Sequence, residues 1–141
     1  GSLIYRENMT MVEMNDEAFF QVLGEPSPLE RAGRTEMVGR VTLNGELVDT
    51  KCYFGVMRPA TGKVHRACAV RCLSGGAPPG VLFRQLDGSA VVVLLAGKTG
   101  KKLTLDCEWA ALNVTVEGML EFHDGTPVLR TERIALADRR G

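Results

Sequence analysis

From Met37 to the C-terminus, apolar and polar residues alternate in short runs separated by turn residues, and this period-2 pattern marks β-strands. Met37 to Val48 (MVGRVTLNGELV) reads as one strand or as two halves of a bent strand. Gly39 or Gly45 would supply the bend, and Asn44-Gly45 is alternatively a tight hairpin turn. Val81 to Arg84 and Ala90 to Leu95 read as partners around the Asp87-Gly88 turn signal. Leu103 to Cys107 reads as a further short strand. Asn113 to Phe122 alternates cleanly, with Val114, Val116, Gly118, Leu120 and Phe122 on one face. His123-Asp124-Gly125-Thr126 turns the chain, and Pro127 to Leu136 is the last strand. Strands of this number and spacing close into a sandwich or a small barrel.

The pattern changes around Val64 to Leu73, which reads as a helix entered through Thr61-Gly62-Lys63 and stopped by Ser74-Gly75-Gly76. Ahead of the strand-rich part, Leu3 to Met14 reads as an extended segment. Its Met9, Met11 and Met14 could bind Cu(I) through their thioethers. The preferred reading is an apolar edge strand packed with flexible side chains. Asn15-Asp16-Glu17 suits a helix N-terminus, Glu17 to Leu23 a turn or two of helix, and Glu25 to Gly33 a Pro- and Gly-bearing linker. The expected fold is therefore mostly β. Residues 34–141 form a small barrel of the oligonucleotide/oligosaccharide-binding (OB) kind with one short helix packed on it, preceded by an irregular arm at 1–33. The closing hairpin is the kind of ending that many such barrels have.

At 141 residues the chain suits one domain with a real core. Seventeen basic side chains balance 17 acidic ones, so no bulk field exists to hold nucleic acid or an anionic membrane surface. Trp109 and Tyr53 are single aromatics, not a stacking platform for bases. Neither GxxxxGK[ST] nor GxGxxG occurs. No apolar run reaches the roughly 18–20 residues that span a bilayer, and there is no signal-peptide pattern. Gly1-Ser2 reads as a vector scar, which leaves open a native anchor ahead of Leu3.

The chemistry concentrates between Gly45 and Gly76, which holds three of the four cysteines and one of the two histidines. His65, Cys68 and Cys72 stand at i, i+3 and i+7 of the helix, within about 60° of one another and so on one face. Cys52 is placed at the end of the preceding strand. His65 and Cys72 lie roughly 10 Å apart along a continuous helix, too far for both to bind one tetrahedral zinc. Cys52 with Cys68 and Cys72, or Cys52 with His65 and Cys68, remain as ligand subsets. Disulfides compete: Cys52 with Cys68 or Cys72, worth about 3 kcal/mol by loop closure, and Cys107 with the remaining thiol. Free thiols are the third reading. His65 could serve as a neutral ligand or base, or simply bond a loop carbonyl, and His123 reads as solvated. A Cys–His nucleophile is chemically conceivable, but nothing in the sequence supplies an oxyanion hole, so an enzyme is not the preferred reading.

Gly45 to Met57 (GELVDTKCYFGVM), Gly62 to Cys72 (GKVHRACAVRC) and Gly75 to Pro79 (GGAPP) resemble a group of uncharacterised bacterial proteins, often exported or membrane-anchored, with a D-x-x-C…H…C…C core and an OB-like tail. The resemblance covers roughly Val38 to Leu136. It matches at Asp49, Lys51, Cys52, His65, Cys68 and Cys72, and does not include Cys107. Tyr53 and Met57 belong to the same stretch as supporting residues. It implies a bacterial domain that is periplasmic or anchored on the extracytoplasmic side of a membrane, and it carries no activity to transfer. The leading functional expectation is a non-enzymatic accessory domain whose Cys/His cluster is structural and which takes a protein partner or small ligand beside the helix, without nucleic acid and without membrane contact by this segment. That reading needs no cofactor. The alternatives are a metal- or haem-binding domain serving a redox system, and a thiol-disulfide redox protein.

Overall fold

Alternating residues close into a barrel here because the strands are bent at glycines and paired on both sides. The computed structural model describes residues 2–6, 9–14, 21, 24–28, 33–55 and 57–137. The expected helix at Glu17 to Leu23 lies, apart from Gln21, outside the described residues. The N-terminal part forms a hairpin of β1 (Ser2–Arg6) and β2 (Met9–Glu13). Then follow β3 (Thr35–Asp49), α1 (Thr50–Phe54), α2 (Gly62–Ser74), β4 (Pro79–Arg84), β5 (Ala90–Gly97), a 3-10 turn (Cys107–Trp109), β6 (Asn113–His123) and β7 (Thr126–Leu136). The barrel is closed in the order β3-β4-β5-β7-β6. Its strand pairs are antiparallel except β5 with β7, which is parallel. The fold is thus mostly β, a five-stranded barrel of the OB kind with a helix packed on it.

Asn44-Gly45 is not a turn. β3 runs straight through it, and its bend is a register shift between Met37 and Gly39. Gly45 is needed for a different reason: a Cβ there would lie 2.2 Å from the Leu82 carbonyl oxygen across the β3–β4 pair. Gly118 plays the same part on β6, where a Cβ would sit 2.0 Å from the Arg130 carbonyl oxygen. Only glycine lets these strands approach so closely. Leu103 to Cys107, expected as a strand, joins no ladder. It runs extended and its last residue enters the 3-10 turn.

The barrel wall at β3, β4 and β5 is covered on both faces. Leu47, Val81, Val93 and Leu95 point into the barrel with Val114, Val116 and Leu129, and Ala69 and Leu73 of α2 complete that core. Val48, Leu82 and Val92, the alternate residues, pack outward against Cys52, Tyr53, Phe54 and Ala60. Burial on both sides explains the unbroken apolar run at Val91 to Leu95. Met9 and Met11 of the N-terminal hairpin pack on this outer cluster. Arg6 lies over the Tyr53 ring, 3.9 Å from its centre, and donates to the Tyr53 carbonyl.

On β6 the expected face holds only halfway. Val114, Val116 and Gly118 are buried, but a register shift between Glu117 and Gly118 changes the phase. Beyond it Glu121 is the buried residue and Phe122 is half-buried. The Glu121 carboxylate bonds Arg130 Nε and His123 Nε2, each at 2.8 Å. His123, expected to be merely solvated, is thus tied down on one side. Replacing a buried charge-assisted acceptor with a neutral one weakens both bonds, so Glu121→Gln is expected to cost about 1–2 kcal/mol. The urea midpoint at constant m-value measures it.

Candidate functional site

The site begins where β3 ends. Asp49, fully buried, stops the strand by turning its side chain onto the next turn of chain: Oδ1 accepts from Cys52 N at 2.7 Å. That is an N-cap. It places Cys52 on helix α1, not at the end of the strand as the sequence suggested. Thr50 fixes the same corner, its N–H and hydroxyl both donating to the Pro78 carbonyl, at 3.1 and 2.7 Å.

Helix α2 lies alongside, ended by Gly75 and Gly76, whose N–H groups donate to the Arg71 and Leu73 carbonyls. Two of its rows meet the corner. His65 Nε2 lies 2.9 Å from Asp49 Oδ2, with side-chain exposures of 3% and 0%. One and two turns further on, the Cys68 and Cys72 sulfurs stand 3.8 and 3.7 Å from Cys52 Sγ. Cys52, Cys68 and Cys72 have their three sulfurs mutually within 4.8 Å, and Asp49, Cys52 and His65 form a second such group. The pair of groups shares Cys52. The sequence-derived subset of Cys52, Cys68 and Cys72 is therefore assembled. The other subset is not, because His65 is drawn to Asp49 instead of toward Cys68.

All four cysteines are free. A disulfide sets its sulfurs about 2.05 Å apart, well short of these contacts, and Cys52 touches both helix thiols equally. Cys107 is elsewhere: it sits in the 3-10 turn, packs on the barrel core, and its Sγ points to the Leu105 carbonyl at 4.0 Å. The expected pair of bridges is therefore absent, and Cys107 has no part in the cluster.

The distances have a chemical meaning. Three sulfurs each bound at ~2.3 Å to one ion in a tetrahedral array lie about 3.8 Å apart, and about 4.0 Å apart in a trigonal plane. The Cys52–Cys68 and Cys52–Cys72 separations match the first of these, and the Cys68 and Cys72 sulfurs lie within 4.8 Å of each other. Burial pushes the Cys52 thiol far above the usual range, and the Asp49 carboxylate beside it pushes the same way. Burial also raises Cys72. Without an ion Cys52 and Cys72 are protonated and poorly reactive at neutral pH.

The supporting residues fall into two sets. Tyr53 is buried, with its ring edge-on to Phe54 at 5.2 Å between centres. Lys51 and Met57 are exposed and line a cavity of about 240 Å³ beside Cys52. The buried Asp49–His65 contact was not legible as a pair: the two residues are sixteen apart, and only the cap geometry of Asp49 signals that its carboxylate faces the helix. No family model, curated protein or solved structure matches the chain, so what the site does must be read from its own geometry.

Proposed function

We propose that this protein is a non-enzymatic metal-binding domain in which Cys52, Cys68 and Cys72 hold one thiophilic ion. The observation that carries the reading is the convergence of three sulfurs from two helices within 4.8 Å of one another, with both Cys52 contacts at the spacing of ligands around a single ion. Thiolates select Zn(II), Cu(I) and iron–sulfur clusters, and sulfurs this close suit one ion. The Asp49–His65 pair supports the reading as a rigid neighbour that fixes the start of α1 against α2. A haem is poorly served, because His65 is enclosed and already bonded to Asp49. In this reading the domain works on the extracytoplasmic side of a bacterial membrane, beside a protein partner, as the motif resemblance implies.

The test is metal stoichiometry on the reduced protein. One equivalent of Co(II) is expected to bind, to give an intense sulfur-to-metal absorption band, and to be displaced by Zn(II). A protein that binds no Co(II) while all four thiols titrate as free would sink the proposal. The contact of Cys52 with both helix thiols also favours a second reading, a thiol-disulfide couple. Mass spectrometry after alkylation of the unreduced protein decides it: one bridge that a mild reductant opens supports this couple.

A further inference from the structure

Four of the eight residues that line the cavity next to Cys52 carry sulfur. The cavity lies between the β1–β2 hairpin and α1, and Met11, Met14, Met57 and Lys51 share its wall with Cys52. The sulfurs grade inward: Met14 is 54% exposed, Met57 44%, Met11 half-buried and packed toward Gly55, and Cys52 6%. Core packing explains Met11, which joins the outer apolar cluster. It does not explain two exposed methionines at the mouth of the same cavity. Thioethers are neutral, soft and never protonated in water, so they bind monovalent copper and give little to Zn(II). On the thiolate side the donors are also all sulfur, since His65 is not in the group formed by Cys52, Cys68 and Cys72.

We propose that this cavity is the port by which Cu(I) reaches the three thiolates, with Met11, Met14 and Met57 as transient ligands. The proposal rests on the cysteine cluster being a metal site. Cu(I) arrives bound to a small thiol. The bond from copper to the carrier sulfur breaks as a bond to a thioether sulfur forms. The thioether then yields to the sulfurs of Cys52, Cys68 and Cys72, and their protons leave to water. Copper stays in the +1 state throughout, so the transfer needs no oxidant or reductant. Lys51 and Glu13 stand on the same wall and offset each other's charge, so the selection rests on the thioethers.

The experiment compares the intact protein with the triple variant Met11→Leu, Met14→Leu, Met57→Leu, in which leucine keeps the volume and apolarity. Anaerobic stopped-flow absorbance follows loading from glutathione-bound Cu(I), and separately loading with Zn(II). Cu(I) loading is expected to slow at least tenfold in the variant, with Zn(II) loading within twofold and the final stoichiometry unchanged. Unchanged Cu(I) loading, or equal slowing of both metals, would overturn the port. If the intact protein loads neither metal, the thiolate reading itself has failed. The port is then tested alone, by titrating Ag(I) into the variant Cys52→Ser, Cys68→Ser, Cys72→Ser with 13C-labelled methionine methyls. Shifts at Met11, Met14 and Met57, with none at Met37 and Met119, keep it; no shift at these three discards it.

Discussion

Replacing Cys52 with Ser is expected to lower affinity for Zn(II) or Co(II) more than 100-fold. Cys52 is the sulfur in contact with both others, at 3.8 and 3.7 Å, so its loss removes the vertex that makes the helix thiols converge with α1. A serine hydroxyl reaches less far, is a harder donor and does not ionise near neutral pH. The drop should exceed the 10–100-fold that follows when only an outer-shell partner of a metal ligand is lost. Cys68→Ser and Cys72→Ser should fall in the same range. Cys107→Ser should bind like the parent, because Cys107 lies in the 3-10 turn away from the cluster. Competition against a chromophoric chelator measures all four. A Cys52→Ser protein that holds metal as tightly as the parent would place the ion elsewhere.

Asp49→Ala is expected to cost about 3–5 kcal/mol of stability, from the lost N-cap and from two buried partners left without an acceptor. The single carboxylate receives the Cys52 N–H on one oxygen and faces His65 Nε2 with the other. Both partners are buried, so water cannot replace it. For a domain of this size the loss corresponds to a fall in Tm of roughly 10–20 °C. Asp49→Asn separates the two roles. Asparagine caps a helix as well as aspartate does, so it should recover the cap and lose only the charge-assisted contact to His65. Its cost is expected to be less than half that of the alanine variant. Thermal melts of the metal-free, reduced proteins give both numbers, and an Asp49→Ala protein within 1 kcal/mol of the parent would remove Asp49 from any central part in the fold.

Much of the barrel was legible because its strands obey one period. Val114 to Gly118, the Asp124-Gly125 turn and the closing strand to Leu136 follow directly from alternation and turn chemistry. Alternation failed where the ladder slips: past Gly118 it put Leu120 and Phe122 on the buried face and missed Glu121. It failed again at Leu103 to Cys107, where Leu103, Leu105 and Cys107 pack on the barrel core without strand pairing. The helix face bearing Cys68 and Cys72 was readable from spacing alone, and so was the exclusion of a four-ligand zinc site. The free state of the four cysteines and the place of Cys52 were not. Asp49-Thr50-Lys51-Cys52 continues a β pattern in sequence, and only a side chain that turns to cap the backbone shows that the strand stops. The interplay of the N-terminal methionines with Cys52 was invisible for a simpler reason: pattern speaks to neighbours along the chain, and these residues are some forty positions apart.

Asp49 and Pro79 are ladder partners, with Thr50 bonded to Pro78 beside them. The chain from residue 50 to residue 78 therefore leaves the barrel and returns to it at one point, like a cassette clipped into a rack. The Cys52 contacts with Cys68 and Cys72 lie within its own boundaries, while Asp49, the last residue of β3, grips His65 at its edge. The barrel meets it on two apolar seats: Ala69 and Leu73 enter the inner core, and Cys52, Tyr53, Phe54 and Ala60 pack on Val48, Leu82 and Val92 outside the wall. Such a unit can open and reclose while the strands stay paired. It could also be transplanted as a whole into another antiparallel pair of strands, provided the host supplies both apolar seats and an aspartate at the position of Asp49.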